Sequence, residues 1–240
     1  MSQQFPLEKS GLEKAIGYKF ADEGLLTLAL THSSYSNEKF TGSGHKMCNE
    51  RLEFLGDSIL SLIVSRELYS TYPDKPEGEL TRLRADVVCE RALSKYAVRI
   101  GLGQYLWLGV GEERSQGRER RSILADAFEA LLAAIYLDSG NDGINKVGDF
   151  LLPFVKTELE EILESGVGTD YKTMLQDFVQ HSDGDLLEYA ETGESGPDHM
   201  KIFEVEARLN SNVIGKGKGK TKKEAEQSAA RDALALFGVI

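Results

Sequence analysis

The 240-residue sequence predicts two units of different class: an all-α domain over residues 1–164, then a small α+β domain of α-β-β-β-α order over residues 170–240. Three observations carry this. Apolar residues recur at spacings of three and four through most of the first unit. A glycine-bearing segment at 165–169 interrupts that pattern. Beyond it the period shortens to two over several short runs, then lengthens again in a final alanine-rich stretch.

The helical runs of the first unit are Leu25–Leu30, Leu52–Leu68, Ala92–Ile100, Ile123–Leu137 and Phe150–Leu163. Pro73, Pro76, Gly101, Gly103, Gly140 and Gly143 fall between these runs, and glycine and proline are expected to stay out of them. Gly166 and Gly168 mark residues 165–169 as a short flexible linker. Tyr171–Gln180 reads as a short amphipathic helix. Leu186–Glu191 and Lys201–Asn210 alternate like strands, and Ser211-Asn212 is a turn signal before Val213-Ile214. Residues 215–220 form a low-complexity tract ahead of a long helix, Thr221–Phe237. The first unit is long enough to bury its own core. The second, at about 70 residues, is marginal but viable.

The net charge is −11 and the isoelectric point about 5.0. That average argues against a polyanionic partner. It says nothing of where charges sit, however, and can hide either a basic stripe or a carboxylate cluster. Cys48 and Cys89 do not make a disulfide framework and are expected as reduced thiols. Residues 1–17 lack an apolar core of a secretory signal, and no apolar run reaches the length of about 20 residues that a membrane span needs. A cytoplasmic protein with no membrane partner is expected.

The segment 49–57, Asn-Glu-Arg-Leu-Glu-Phe-Leu-Gly-Asp, is the most informative. With a helical turn of about 100° per residue, Glu50, Glu53 and Asp57 fall within about 60° of one another, so three carboxylates share a helical face. Leu52, Leu55, Ile59, Leu62 and Ile63 occupy the opposite face as its expected core side. The acidic face continues into Leu60, Ser61 and Val64, where a solvated face would carry lysine and arginine. Carboxylates so placed repel, and repel more strongly near apolar surface. A second pair, Asp126 and Glu129, is flanked by Ala130 and Ala133, small enough to let another helix approach. If the two helices packed, four acids would face each other. Oxygen ligands in that number suit Mg²⁺ or Mn²⁺ rather than zinc, and two such cations can activate water and stabilise the leaving oxygen of a phosphodiester. On spacing alone, a solvated or ion-paired face is the commoner outcome, and both readings stay open.

Segment 49–57 closely resembles the signature of the ribonuclease III family, and Asp126-Ala127-Phe128-Glu129-Ala130 resembles its second acidic segment. Thr31-His32-Ser33-Ser34-Tyr35 and Glu77-Gly78-Glu79-Leu80 resemble further family motifs, in the right order. The resemblance implies an all-α endonuclease domain in which Glu53, Asp57, Asp126 and Glu129 bind metal, with Asp57 and Glu129 as the catalytic pair. Glu50 and Glu77 would be auxiliary acids. It implies an obligate homodimer with Phe54 at the dimer contact; a core aromatic within one subunit is the alternative. The implied reaction is metal-dependent hydrolysis of double-stranded RNA, leaving 5′-phosphate and 3′-hydroxyl ends with short 3′ overhangs, in ribosomal- and messenger-RNA processing. His32 reads better as a hydrogen-bonded structural residue than as a catalyst. The arginine-bearing loop 111–121 either touches phosphates or is a solvated loop, and Gln116-Gly117 departs from the glycine pair expected there.

From residue 170 onward there are nine Lys and Arg against thirteen Asp and Glu, yet Lys216, Lys218, Lys220, Lys222 and Lys223 lie within eight residues. They are expected at the entrance to the last helix, where amide groups and the dipole favour phosphate. Gly219-Lys220-Thr221 imitates the end of a nucleotide-binding loop, but Ile214 stands where its first glycine is needed, so no nucleotide cofactor is expected. The segments 171–176, 196–199 and 217–227 resemble a double-stranded-RNA-binding domain. Such domains read duplex shape across two minor grooves and the phosphates between them. The resemblance implies groove contacts from Thr173 and Gln176, a second from the loop with Pro197 and His199, and phosphate contacts from Lys220, Lys222 and Lys223. Asp177 stands where a longer glutamate is usual. Two other classes compete: a duplex-RNA-binding regulator that has lost catalysis, which would need a broken acid set, and a phosphohydrolase of small esters, against which the lysine cluster argues.

Overall fold

The computed structural model describes residues 6–40, 47–165, 171–179, 186–197 and 201–239. The chain divides into two compact units, 1–168 and 169–240. The segment 166–170, which holds nearly all of the expected linker, lies outside the described residues.

The first unit is helical: α1 (Lys9–Ile16), α2 (Glu23–Ala29), α3 (Ser33–Lys39), α4 (Glu50–Thr71), α5 (Glu77–Val88), α6 (Glu90–Arg99), α7 (Val110–Arg114), α8 (Arg121–Asp138) and α9 (Gly143–Ser165). The five expected helical runs are present. Helices α1, α3, α5 and α7 come in addition; all but α5 are eight residues or shorter, too brief for a periodicity to declare itself. The expectation that glycine and proline stay out of those five runs fails at two positions, and Gly148 also lies inside α9 ahead of its run. Pro153 lies inside α9, and Gly56 lies inside α4.

Helix α8 is the centre of the unit. Eleven of its eighteen residues are buried, from Ile123 to Ile135, and α4, α6, α9 and α2 pack around it. Such a helix is apolar nearly all round, as a core helix should be. Phe128 on α8 meets Tyr96, Phe150 and Phe154 with ring centroids 5.7 to 6.1 Å apart. The buried Tyr96 hydroxyl donates to the Val87 carbonyl at 3.1 Å, so its polar tip is satisfied. On α4, Leu52, Ile59 and Ile63 are buried as expected, and so are Leu60 and Val64 on the acidic side. Leu62 is 56% exposed, which corrects its assignment to the core. The buried stripe is centred between the two expected faces.

The second unit comprises α10 (Tyr171–Val179), β1 (Leu187–Ser195), β2 (Ile202–Leu209), β3 (Asn212–Gly219) and α11 (Lys222–Leu236). The three strands form an antiparallel sheet in the order β1-β2-β3. Its core is small, with Leu175, Val205, Ala207 and the alanine face of α11. Leu209 pairs with Asn212, and the turn between them is Asn210-Ser211, with φ of 49° and 70°. That is one residue earlier than expected and is the doubly left-handed turn that suits a two-residue hairpin.

The low-complexity tract 215–220 is nearly all strand. It continues β3, with Gly215, Gly217 and Gly219 facing α11 and Lys216 and Lys218 facing away. A Cβ on Gly215 or Gly217 would overlap backbone atoms of Ala225, Ala229 or Ala233. Glycine is required there so that strand and helix backbones can touch. Among the described residues, no helix is long and apolar enough to cross a membrane.

Candidate metal centre and nucleic-acid interface

Helix α4 brings Glu53 to α8, which carries Asp126 and Glu129. One carboxylate oxygen from each lies within 4.8 Å of the others, and all three side chains are half-buried. Gly56 makes this approach possible. A Cβ at Gly56 would overlap the carbonyl oxygen of Glu129, so the two helices meet backbone to backbone one turn from Glu53. Sequence reading missed this role: a lone glycine inside a long helical run is the signal that could have found it, but spacing assigns it no partner.

The electrostatics follow from this packing. Burial raises the Glu129 carboxyl most, followed by the charges of Asp57, Glu53 and Asp126, and together they push it up to about 8. Burial also raises Glu53, with Asp126 and Glu50 adding to it. Asp126 is raised by burial and by Glu90, against which His32 acts in the opposite sense. Among the described residues no lysine or arginine forms an ion pair with any of the three. Acids that share a partly dry site without a cationic partner hold protons unless a cation replaces them. The donor set fits a hard divalent ion: three oxygens and neither thiolate nor imidazole among them.

The other expected acids lie at the margin. Asp57 is exposed and outside the three-oxygen group, although its charge acts on Glu129. Glu50 is exposed in the first turn of α4 and acts on Glu53. Glu77 lies outside the group. It opens α5 and accepts a hydrogen bond from the Thr81 hydroxyl at 2.9 Å.

His32 caps α3: its Nδ1 accepts from the Ser34 amide at 3.2 Å and meets the Ser34 hydroxyl at 2.8 Å. Burial lowers its pKa, against the charges of Glu112, Asp126 and Glu50. The Thr31-His32 segment ties the site together. The Thr31 carbonyl accepts from the Asn49 amide at 2.8 Å, just before α4, and the His32 amide donates to the Trp107 carbonyl at 3.0 Å. In the arginine-bearing loop, Arg118 bonds Glu113 and the Gly103 and Leu106 carbonyls, and Arg120 bonds both oxygens of Glu112. Arg114 and Arg121 are exposed. Cys48 is buried, and burial raises its thiol, so it is a poor nucleophile.

Phe54 is 79% exposed, which excludes a core aromatic within one chain. Tyr69 and Leu62 are exposed on the same side of α4.

In the second unit, Thr173 and Gln176 are exposed on α10 beside Asp177. Lys172, also on α10, reaches Glu226 on α11 at 2.6 Å. Pro197 is exposed, and His199 lies outside the described residues. Lys220, Lys222 and Lys223 are exposed around the start of α11, where the Thr221 hydroxyl accepts from the Glu224 amide at 3.1 Å. Lys216 and Lys218 are not at that helix entrance. They stand on the outer face of β3, paired with Glu206 and Glu204.

Comparison with known proteins agrees with this geometry. The family described as Ribonuclease-III-like matches residues 22–153, and that described as Double-stranded RNA binding motif matches residues 171–236. Ribonuclease 3 of Caldanaerobacter subterraneus subsp. tengcongensis is 47% identical over 95% of this chain and 98% of its own. Ribonuclease 3 of Desulforamulus reducens is 50% identical over 93% of this chain and 89% of its own. A solved nuclease domain of ribonuclease III from Campylobacter jejuni, described for structural flexibility in a region involved in dimer formation, has a TM-score of 0.56 and 37% identity. It aligns over 63% of this chain and 98% of its own.

Proposed function

The chain belongs to the ribonuclease III family and is a double-stranded-RNA endoribonuclease; on that premise we propose that it works as a homodimer with Mg²⁺, Mn²⁺ being an alternative, and leaves 5′-phosphate and 3′-hydroxyl ends with short 3′ overhangs. Ribosomal- and messenger-RNA precursors are its proposed substrates. The observation that carries the metal reading is the convergence of Glu53, Asp126 and Glu129 with no lysine or arginine paired to them among the described residues.

Glu53, Asp126 and Glu129 would hold the cation, with Asp57 joining from the rim. A bound divalent ion supplies activation of water and neutralises charge building on the phosphodiester. The remaining work is done by protein groups. Gly56 fixes the spacing of the two acid-bearing helices, and the Thr31-His32 segment anchors the start of α4. Glu50 and Glu77 are proposed as auxiliary acids. Exposed Phe54, with Leu62 and Tyr69 also exposed further along α4, supports a contact with a second copy. Thr173, Gln176, Pro197 and His199 are proposed to meet minor grooves, and Lys220, Lys222 and Lys223 the phosphates between them.

The test is cleavage of an end-labelled duplex RNA against Mg²⁺ concentration, for the wild type and Glu129→Gln. The variant is expected to cut roughly 1,000-fold more slowly, with duplex binding within about two-fold. If neither protein cuts while both bind, the chain is a duplex-binding regulator instead.

A further inference from the structure

The second unit neutralises its own lysines. Lys172 meets Glu226 at 2.6 Å, Lys216 meets Glu206 at 3.0 Å, and Lys222 meets Glu191 at 2.6 Å. The last pair differs from the others in its position. Lys222 is the first residue of α11, between exposed Lys220 and Lys223. Its ammonium lies 5.8 Å from the centre of the Phe203 ring, so the lysine is held at two points.

Glu191 is placed for this contact by the strand. Leu187 and Tyr189 of β1 turn inward and pack on the core of the unit. Alternation puts Glu191 on the same, helix-bearing side. Immediately after it the register of β1 against β2 shifts between Glu191 and Gly193, leaving Thr192 as an extra residue. An acid thus ends the inward face of β1, beside the amino end of α11.

We infer that Glu191 is an internal counter-charge that competes with RNA phosphate for Lys222, and so sets the affinity and salt dependence of duplex binding. This rests on the duplex-RNA reading above. A phosphate that takes Lys222 must first displace Glu191. Salt screens the internal pair as well as the RNA contact. The contact therefore adds less to the salt slope than a free lysine would, which would add nearly one. Exposed ion pairs are weak, so the effect on affinity is a modest one.

The experiment measures binding of the full chain to a perfect duplex RNA without divalent metal, so that nothing is cut, across a range of salt. Four proteins are compared: wild type, Glu191→Gln, Lys222→Met and the double variant. Glu191→Gln is expected to bind about two- to five-fold more tightly at low salt. Its salt slope is expected to steepen by a fraction of the roughly 0.9 that one free contact contributes, and both effects should vanish in the Lys222→Met background. Unchanged or weaker binding by Glu191→Gln overturns the inference. So does an equal gain with Lys222→Met present, which would be a net-charge effect alone. If the wild type itself fails to bind, the duplex-RNA reading falls, and this inference with it.

Discussion

The two units treat their carboxylates in opposite ways. In the first, Glu53, Asp126 and Glu129 crowd into a partly dry cleft with no lysine or arginine paired to them among the described residues. In the second, Glu191, Glu204, Glu206 and Glu226 each meet a lysine. The difference separates two uses of charge. Unpaired acids in a dry site create a demand for a cation. Paired acids on a surface tune how readily lysines can be taken by something else. Both units use glycine where two elements press together, at Gly56 on α4 against α8 and along β3 against α11, because only glycine lets the backbones touch.

Substituting those glycines is the harshest way to break the comparison. Gly217→Ala should unfold the second unit, since overpacking costs about 3 kcal/mol and a domain of about 70 residues has little more than that to lose. Calorimetry should then show one transition instead of two, with duplex affinity falling sharply. The metal response of the first unit should persist. Gly56→Ala should do the reverse, costing about 3 kcal/mol in the larger unit and abolishing cleavage while duplex binding by the second unit survives. A Gly56→Ala protein that cuts normally would show that the α4–α8 contact does not set the acid spacing.

A gentler test uses pH. Glu129 keeps its proton up to about pH 8 in the folded chain, against an ordinary value of 4.5. The folded state therefore binds more protons than the unfolded state between those values. Its contribution to stability is complete below pH 4.5 and is lost as pH rises toward 8. The melting temperature of the metal-free first unit should fall between about pH 5 and 8, and Glu129→Gln should flatten that fall. Mg²⁺ should restore stability most at the high end, where its binding no longer has to expel the proton. A metal-free profile that rises with pH would contradict the dry, unpaired site.

The smallest expected effect is at Gln116, which has a φ of 60°. Replacing it with glycine removes left-handed strain and should stabilise the first unit by about 1 kcal/mol, with cleavage unchanged.

Much of this was legible in the sequence. The long helices carried their period, the acid pairs carried their spacing, and the change of period marked two units. What escaped was either short or tertiary. Helix α3, with its polar sequence, shows almost no apolar stripe. The glycine–lysine alternation of β3 looks like low complexity until α11 lies against it. Leu62 belongs to the apolar side of α4 by angle, yet only the packing of neighbouring helices decides which part of that side is covered. Helical spacing put Glu53 and Asp57 on one face, but the arrival of α8 left one half-buried and the other exposed.

The chain order of the two acid-bearing helices has a further consequence. Glu53 and Glu129 are 76 positions apart, and the second lies just past the midpoint of the chain. At ordinary rates of synthesis, roughly 4 to 15 s pass between their emergence from the ribosome. A chain halted before α8 carries Glu53 with nothing to complete it, because α8 brings Asp126 and Glu129 and packs its Glu129 backbone against Gly56 of α4. With the acids in the proposed role, the centre would not assemble piecemeal: a chain still short of α8 would be chemically silent toward the RNA around it.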